Sequence, residues 1–143
     1  MDNPPNPGDF MLLPAGGQLD LQTACERDYT SYGKNISDPK NPNYPCPFQP
    51  MSEFHTLGPD NVKGCAMGIA YKSDIKEVKP EDITIFSVNT KCVLHLHTIY
   101  DIPKAMPPCP KDGCICTHNW IHSERSGTNQ SGFSTNGLFE SAG

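Results

Sequence analysis

The 143 residues of this chain are enough for one domain with a modest core. Only 36% of them are hydrophobic, and the 15 prolines and 12 glycines exclude a helical bundle, because proline fits neither a helix interior nor a central strand. The formal charge is -5 and the 11 basic residues form no cluster, which excludes nucleic acid as a partner, and no apolar stretch is long enough to span a membrane.

The first half of the chain predicts short strands and one long loop. Residues 10–13 are a short apolar run that ends at Pro14. Residues 18–24 alternate in polarity, which predicts a strand with one buried face. Residues 33–53 contain five prolines and predict a long loop, and loops of this length in compact domains are commonly functional.

The chain from residue 65 onward predicts four more strands. Residues 65–71 are small and apolar, which is typical of a central strand, and residues 83–88 and 91–99 follow as further strands. A proline-rich connector over residues 102–112 leads to the last predicted strand, residues 114–121. About six strands with turns every 8–12 residues or so and no helix favour an all-β sandwich with long proline-rich loops.

The final segment has a different composition. From residue 123 onward Ser, Gly, Thr and Asn dominate, and little is available to pack. We therefore expect one sandwich domain over residues 1–122 and a polar, disordered tail over residues 123–143.

The cysteines indicate an oxidising compartment. Seven cysteines at spread-out positions fit disulfides, and two glycosylation sequons, at Asn35 and Asn129, agree with secretion. The start MDNPPNPGDF has neither the charged nor the apolar region of a signal peptide. An extracellular cysteine pattern behind such a start suggests a chain that lacks its true beginning, and the odd cysteine suggests a missing bridge partner.

Two pairs of histidines are candidate metal ligands. His95 and His97 would share one face of a strand, but a polar, solvent-facing side explains this pattern better, since no third ligand is near. His118 and His122 imitate a zinc-protease motif without its glutamate, and on a strand they would stand about 13 Å apart. We therefore reject a zinc site there and assign Trp120 to the core.

Other residues that could carry chemistry have simpler explanations. The segment CPKDGCIC, residues 109–116, lacks the usual spacing of zinc ligands, so a disulfide-closed turn is favoured. Glu81 and Asp82 fall in a predicted turn and look solvated. His55 precedes a strand by ten residues and by itself is a weak signal. The residues alone thus predict a secreted type of β-sandwich without assigning a function.

A series of phrases in this sequence resembles a known family. They run in order as FMLLPAGGQLDL from residue 10, ACERDYTSYG from 24, FHT from 54, GCAMGIAYKSDIKEV from 64, DITIFSV from 82, AMPPCPKDGCIC from 105 and WIHS from 120. They are similar to the fungal auxiliary-activity family 14 of lytic polysaccharide monooxygenases.

The resemblance implies a secreted, monomeric, immunoglobulin-like β-sandwich with one copper ion in a histidine brace. In that family the ligands are the N-terminal histidine and a second histidine, a tyrosine lies on the axial side, and the reaction breaks xylan associated with cellulose. Nitrogen donors in a planar arrangement suit copper. His55 falls at the position of the second brace histidine.

Two features depart from the family pattern. Met1 stands first and no histidine precedes His55, and the segment SGFSTNGLFESAG has neither the axial tyrosine nor a last cysteine. We therefore expect a sandwich that is incomplete at both ends, and a fragment or impaired homologue of the enzyme that binds copper weakly, since one imidazole is a poor site.

The resemblance also implies a disulfide pattern and leaves one alternative function open. The implied pairs are Cys25–Cys46, Cys65–Cys92 and Cys109–Cys114, with Cys116 unpaired. The alternative is a non-catalytic, secreted glycan-binding or cell-wall-binding sandwich in which His55 binds no metal. Four aromatic residues could form its binding face: Tyr29, Tyr32, Tyr44 and Phe48.

Overall fold

The computed structural model describes residues 10–50, 63–92, 94–121 and 138–142, the last of these as backbone only. The described residues form seven strands: β1 (Phe10–Pro14), β2 (Gln18–Gln22), β3 (Gly64–Ala70), β4 (Thr84–Asn89), β5 (His97–Asp101), β6 (Cys114–Ile121) and β7 (Leu138–Ala142). Three single turns of 3-10 helix, Arg27–Tyr29, Ile75–Glu77 and Pro80–Asp82, are the only helical elements in this part of the chain. The all-β prediction is confirmed.

The strands form two sheets. The larger sheet has the order β1-β7-β6-β3-β4, and β2 pairs with β5 in the smaller one. Every pairing is antiparallel except that of β1 with β7, which is parallel. A parallel pair needs a long connection, and here it joins the first and last described strands.

The core lies between the two sheets. Alternate residues of β3, among them Met67 and Ile69, point to the same side as Leu13 of β1, and they meet Leu19 and Tyr100 of the smaller sheet in one buried cluster. Residues of β3 and β6 are buried on both faces, as expected for central strands, whereas β2 and β5 alternate between buried and exposed. The two sheets therefore pack face to face as a sandwich.

Gly68 shows why the centre of β3 has a residue without a side chain. A Cβ atom built on Gly68 would lie 2.6 Å from Cγ2 of Ile83 and 2.7 Å from Oγ1 of Thr117. β4 shifts its register beside this glycine, so the larger sheet packs closely at this point.

The predicted strands mostly match the observed ones. β6 has the predicted bounds, and β2, β3 and β4 differ from the prediction by one or two residues at their ends. The prediction of a strand over residues 91–99 is wrong for the described residues before His97, namely 91, 92 and 94–96, because β5 begins only at His97. The sequence indicated no strand after residue 123, so β7 is a feature that the structure adds. The remaining tail residues and the domain boundary at 122 lie outside the described residues, and both stay predictions.

Candidate functional site

The longest connection between described strands, residues 23–63, begins and ends at the same end of the sandwich. β2 ends at Gln22 opposite His97, where β5 begins. β3 begins at Gly64 opposite Ile121, where β6 ends, and Cys65 beside it faces Asn89, where β4 ends. The side-chain amide of Asn89 donates a hydrogen bond of 2.9 Å to the carbonyl of Ile99 and so joins the two sheets here. We call this the long-loop end, because the connection over residues 23–63 leaves and re-enters the sheets at it.

The described part of this connection is firmly attached to the sandwich. A disulfide joins Cys25 to Cys46, and the prolines on either side of Cys46, Pro45 and Pro47, are fully buried. The amide of Cys25 donates to the carbonyl of Pro45 at 3.2 Å, and the amide of Leu96 donates to the carbonyl of Asn43 at 2.8 Å. The prediction of a long loop without strands is confirmed over residues 33–50.

His55 lies outside the described residues. The structure describes the chain as far as residue 50 and again from residue 63, next to the start of β3. The copper-ligand role of His55 therefore stays a prediction.

His95 and His97 are both exposed, as expected for a polar side of the smaller sheet. Only His97 belongs to a strand, and its Nδ1 lies 2.9 Å from each carboxylate oxygen of Asp20 on β2. On the same outer face the amide of Gln18 donates to the carboxylate of Asp101 at 2.9 Å. This face is a ladder of polar pairs across the two strands.

His118 is a core residue. It lies on β6, is 8% exposed, and its Nε2 is 3.0 Å from the hydroxyl of Tyr100, whose ring meets it edge-on. Burial lowers the pKa of His118 and raises that of Tyr100, so both groups are neutral near pH 7. The strand assignment confirms that His118 is no part of a helical zinc motif, and His122 lies outside the described residues. Trp120 is half-buried and packs against the core cluster.

Six of the seven cysteines form disulfides. The disulfides are Cys25–Cys46, Cys65–Cys92 and Cys109–Cys114, the three pairs that the resemblance implied. Cys116 is a free thiol, it is 1% exposed, and burial raises its pKa. A buried thiol of this kind is chemically inert.

Glu81 and Asp82 lie in the third 3-10 turn, as the turn prediction requires. The ammonium of Lys72 lies 2.7 Å from a carboxylate oxygen of Asp82, and this hydrogen bond holds the pKa of Asp82 below its usual value. The carboxylate of Asp82 therefore serves the turn and its ion pair, Glu81 is exposed, and neither has a catalytic partner among the described residues.

No group of three or more His, Cys, Asp or Glu side chains that could hold a metal occurs in the described ranges. Nor does any described helix have the length and apolar character that crossing a bilayer requires. What the long-loop end does offer is an open cavity of about 700 Å³ between the long connection and the segment before β5. Phe48, Tyr44, Asn41, Asn43 and His95 contribute to its wall.

The sequence indicates the aromatic residues of this cavity but not the cavity itself. Of the four aromatic residues predicted for a binding face, Tyr44 and Phe48 line the cavity, whereas Tyr29 and Tyr32 do not. His95 joins them because the chain before β5 bonds to Asn43, a long-range contact that no local pattern shows.

Comparisons with known proteins agree on one family. The family model for lytic polysaccharide monooxygenase AA14 matches residues 1–138. The chain is 50% identical over 135 residues to AA14 family lytic polysaccharide monooxygenase B of Trametes coccinea, an alignment that covers 91% of this chain and 32% of that protein.

Two further relatives show the same pattern. AA14 family lytic polysaccharide monooxygenase A of Trametes coccinea is 47% identical, over 90% of this chain and 31% of that protein. AA14 family lytic polysaccharide monooxygenase B of Pycnoporus cinnabarinus is also 47% identical, over 91% of this chain and 35% of that protein. The chain thus spans about a third of the length of these relatives.

Proposed function

Because the chain belongs to the AA14 family of lytic polysaccharide monooxygenases, we propose that it serves the copper-dependent oxidative cleavage of xylan or cellulose-type glycans. In this proposal it is a secreted, monomeric protein, and its three disulfides suit an oxidising compartment. The similarity to an AA14 family lytic polysaccharide monooxygenase over nine-tenths of the chain carries the proposal.

His55 is the copper ligand that we propose within this chain. The connection that contains it leaves β2 and enters β3 at the same end of the sandwich, which supports a site at the long-loop end. Imidazole nitrogen suits copper, and the bound metal would supply the redox chemistry that activates oxygen. The described residues provide no other set of metal donors, so the assignment of copper depends on His55.

Copper binding by the protein and by His55→Ala tests this assignment. Titration with Cu(II), followed by calorimetry and by electron paramagnetic resonance, should show weak binding that falls at least about tenfold in the variant, with loss of a nitrogen hyperfine coupling. His97→Ala is the matched control, because that exposed imidazole pairs with Asp20 on the outer face. Equal affinities for the protein and His55→Ala would refute the role of His55.

The reaction has a separate test. The protein is incubated with xylan-coated cellulose, Cu(II), ascorbate and oxygen, and the soluble oligosaccharides are analysed by mass spectrometry. Oxidised oligosaccharides that His55→Ala does not produce would support the proposal. If the protein releases none, or if the variant releases as many, this chain does not itself catalyse oxidative cleavage.

Exposed aromatic side chains favour one second candidate, a non-catalytic glycan-binding domain. Tyr32 is 75% exposed and Phe48 is 71% exposed, and both lie on the long connection. An exposed aromatic ring offers a flat apolar surface on which the C–H face of a sugar can stack. Binding to the glycan without copper, together with an absence of oxidised products, would distinguish this function from the enzyme.

A further inference from the structure

The cavity at the long-loop end has the chemistry of a carbohydrate site. Its volume of about 700 Å³ lies within the range of small-molecule sites, roughly 300–1,000 Å³. Its wall combines the rings of Phe48 and Tyr44 with the amides of Asn41 and Asn43 and the imidazole of His95.

Phe48 is held in a conformation that its residue type disfavours. Its φ angle is +63°, in the left-handed region that a bulky side chain rarely adopts. The neighbouring Pro47 is fully buried and Cys46 is tied to Cys25, so the backbone on its N-terminal side cannot relax easily. Nevertheless the ring is 71% exposed, and packing in the core does not explain why a phenylalanine stands at this position.

The polar groups around the ring are preorganised. Asn43 accepts backbone hydrogen bonds from Leu96 through its carbonyl, at 2.8 Å, and from His97 through Oδ1, at 3.3 Å. Because Oδ1 is held by His97, the side-chain nitrogen Nδ2 of Asn43 is a hydrogen-bond donor in a defined position. The side-chain amide of Gln49, another wall residue, donates to the hydroxyl of Tyr29 at 3.1 Å and supports the turn after Phe48.

A tight turn over residues 38–41 forms another part of the wall. The carboxylate of Asp38 accepts a hydrogen bond from the backbone N–H of Lys40 at 2.9 Å, and the backbone N–H of Asn41 donates to the backbone carbonyl of Asp38 at 3.0 Å. Asp38 and Lys40 contribute one formal charge of each sign to the cavity. The site therefore has no strong preference for an ion and suits an uncharged ligand.

We propose that this cavity is a binding subsite for one or two sugar units of a β-linked, neutral polysaccharide. A pyranose ring has an apolar C–H face, which would lie on the ring of Phe48, and equatorial hydroxyls, which would meet the amides of Asn41 and Asn43 and the imidazole of His95. The subsite rests on the proposed function for its class of ligand. It does not require copper, because no wall residue is a proposed metal ligand.

Binding of xylohexaose and cellohexaose to copper-free protein tests the subsite. Phe48→Gly removes the ring and tolerates a positive φ, so the variant is expected to fold. We expect its affinity for the bound oligosaccharide to fall about five- to tenfold, while Phe48→Trp keeps the affinity or raises it. The oligosaccharide that binds with the higher affinity identifies whether xylan or cellulose is the source of the ligand.

Val88→Ala is the matched control. Val88 is an apolar side chain nearly as exposed as Phe48, at 65%, but it lies on β4 and is not part of the cavity wall. Unchanged binding by Phe48→Gly, an equal loss in Val88→Ala, or the absence of oligosaccharide binding to the protein itself would overturn the subsite. Copper affinity, measured in parallel, is expected to be the same in Phe48→Gly, so that a failure of the subsite is distinguished from a failure of the copper proposal.

Discussion

The hydroxyl of Tyr100 on β5 lies 3.0 Å from Nε2 of His118 on β6, so that one hydrogen bond joins the two sheets through the core. Tyr100 is fully buried and His118 nearly so. When both rings are neutral, the hydroxyl of Tyr100 and Nε2 of His118 satisfy each other's hydrogen-bonding needs. A charge on either ring would lie in the core without a counter-charge among the described contacts.

This pair predicts a loss of stability in mild acid. Because burial lowers the pKa of His118, its contribution to stability is complete above the ordinary histidine pKa of 6.5 and falls below that pH, as the unfolded chain takes up the proton first. The loss should not exceed about 1.4 kcal/mol per pH unit. Urea unfolding at pH 7.5 and 5.5 measures it. His118→Gln gives Tyr100 a hydrogen-bond partner that does not titrate. If the free energy of unfolding of this variant falls as much between pH 7.5 and 5.5 as that of the unmodified protein, His118 is not the cause of the acid sensitivity.

The hydroxyl of Tyr100 can be tested at constant pH. Tyr100→Phe keeps the ring but leaves Nε2 of His118 without this partner in the core, and we expect the free energy of unfolding to fall by about 1–3 kcal/mol. Tyr32→Phe, on the exposed connection, should change it by less than about 0.5 kcal/mol. The interpretation fails if the two substitutions have the same effect in urea unfolding.

The disulfides should contribute unequally to stability. Cys65 and Cys92 are 27 residues apart, whereas Cys109 and Cys114 are 5 apart. Closing the longer loop removes more entropy from the unfolded chain, so replacing the first pair by alanines should cost about 3.5 kcal/mol and replacing the second about 2 kcal/mol. Thermal unfolding of the two double variants provides the comparison. A greater loss for the shorter loop would show that chain entropy does not dominate.

Cys116 should be unreactive until the protein unfolds. The thiol is buried and burial raises its pKa, so very little thiolate is present or accessible near neutral pH. Labelling with iodoacetamide, followed by intact mass, should add no group to the native protein within hours and one group in 6 M urea. Rapid labelling of the native protein at Cys116 would place this thiol at the surface.

The sequence pattern predicted strand bounds best for a central strand, where both faces are buried. Residues 114–118 are buried on both faces, and residues 114–121 form a central strand with the predicted bounds. Residues 91–96 have an equally strand-like composition, yet the side chain of Asn89 caps a turn at Lys91 and the amide of Leu96 bonds to Asn43. The second of these contacts joins residues more than fifty positions apart, so no window of sequence shows that the strand begins only at His97.

The sequence by itself determined the fold class and, through its family resemblance, the three disulfide pairs. The fold class follows from the type and spacing of the residues, which are properties of the linear chain, and the copper role of His55 stays a prediction. The tertiary structure alone decided that β1 pairs with β7, that Tyr100 meets His118, and that Phe48 and His95 face one cavity. Such pairings depend on how distant segments pack, and the energy of that packing is not written in any local pattern.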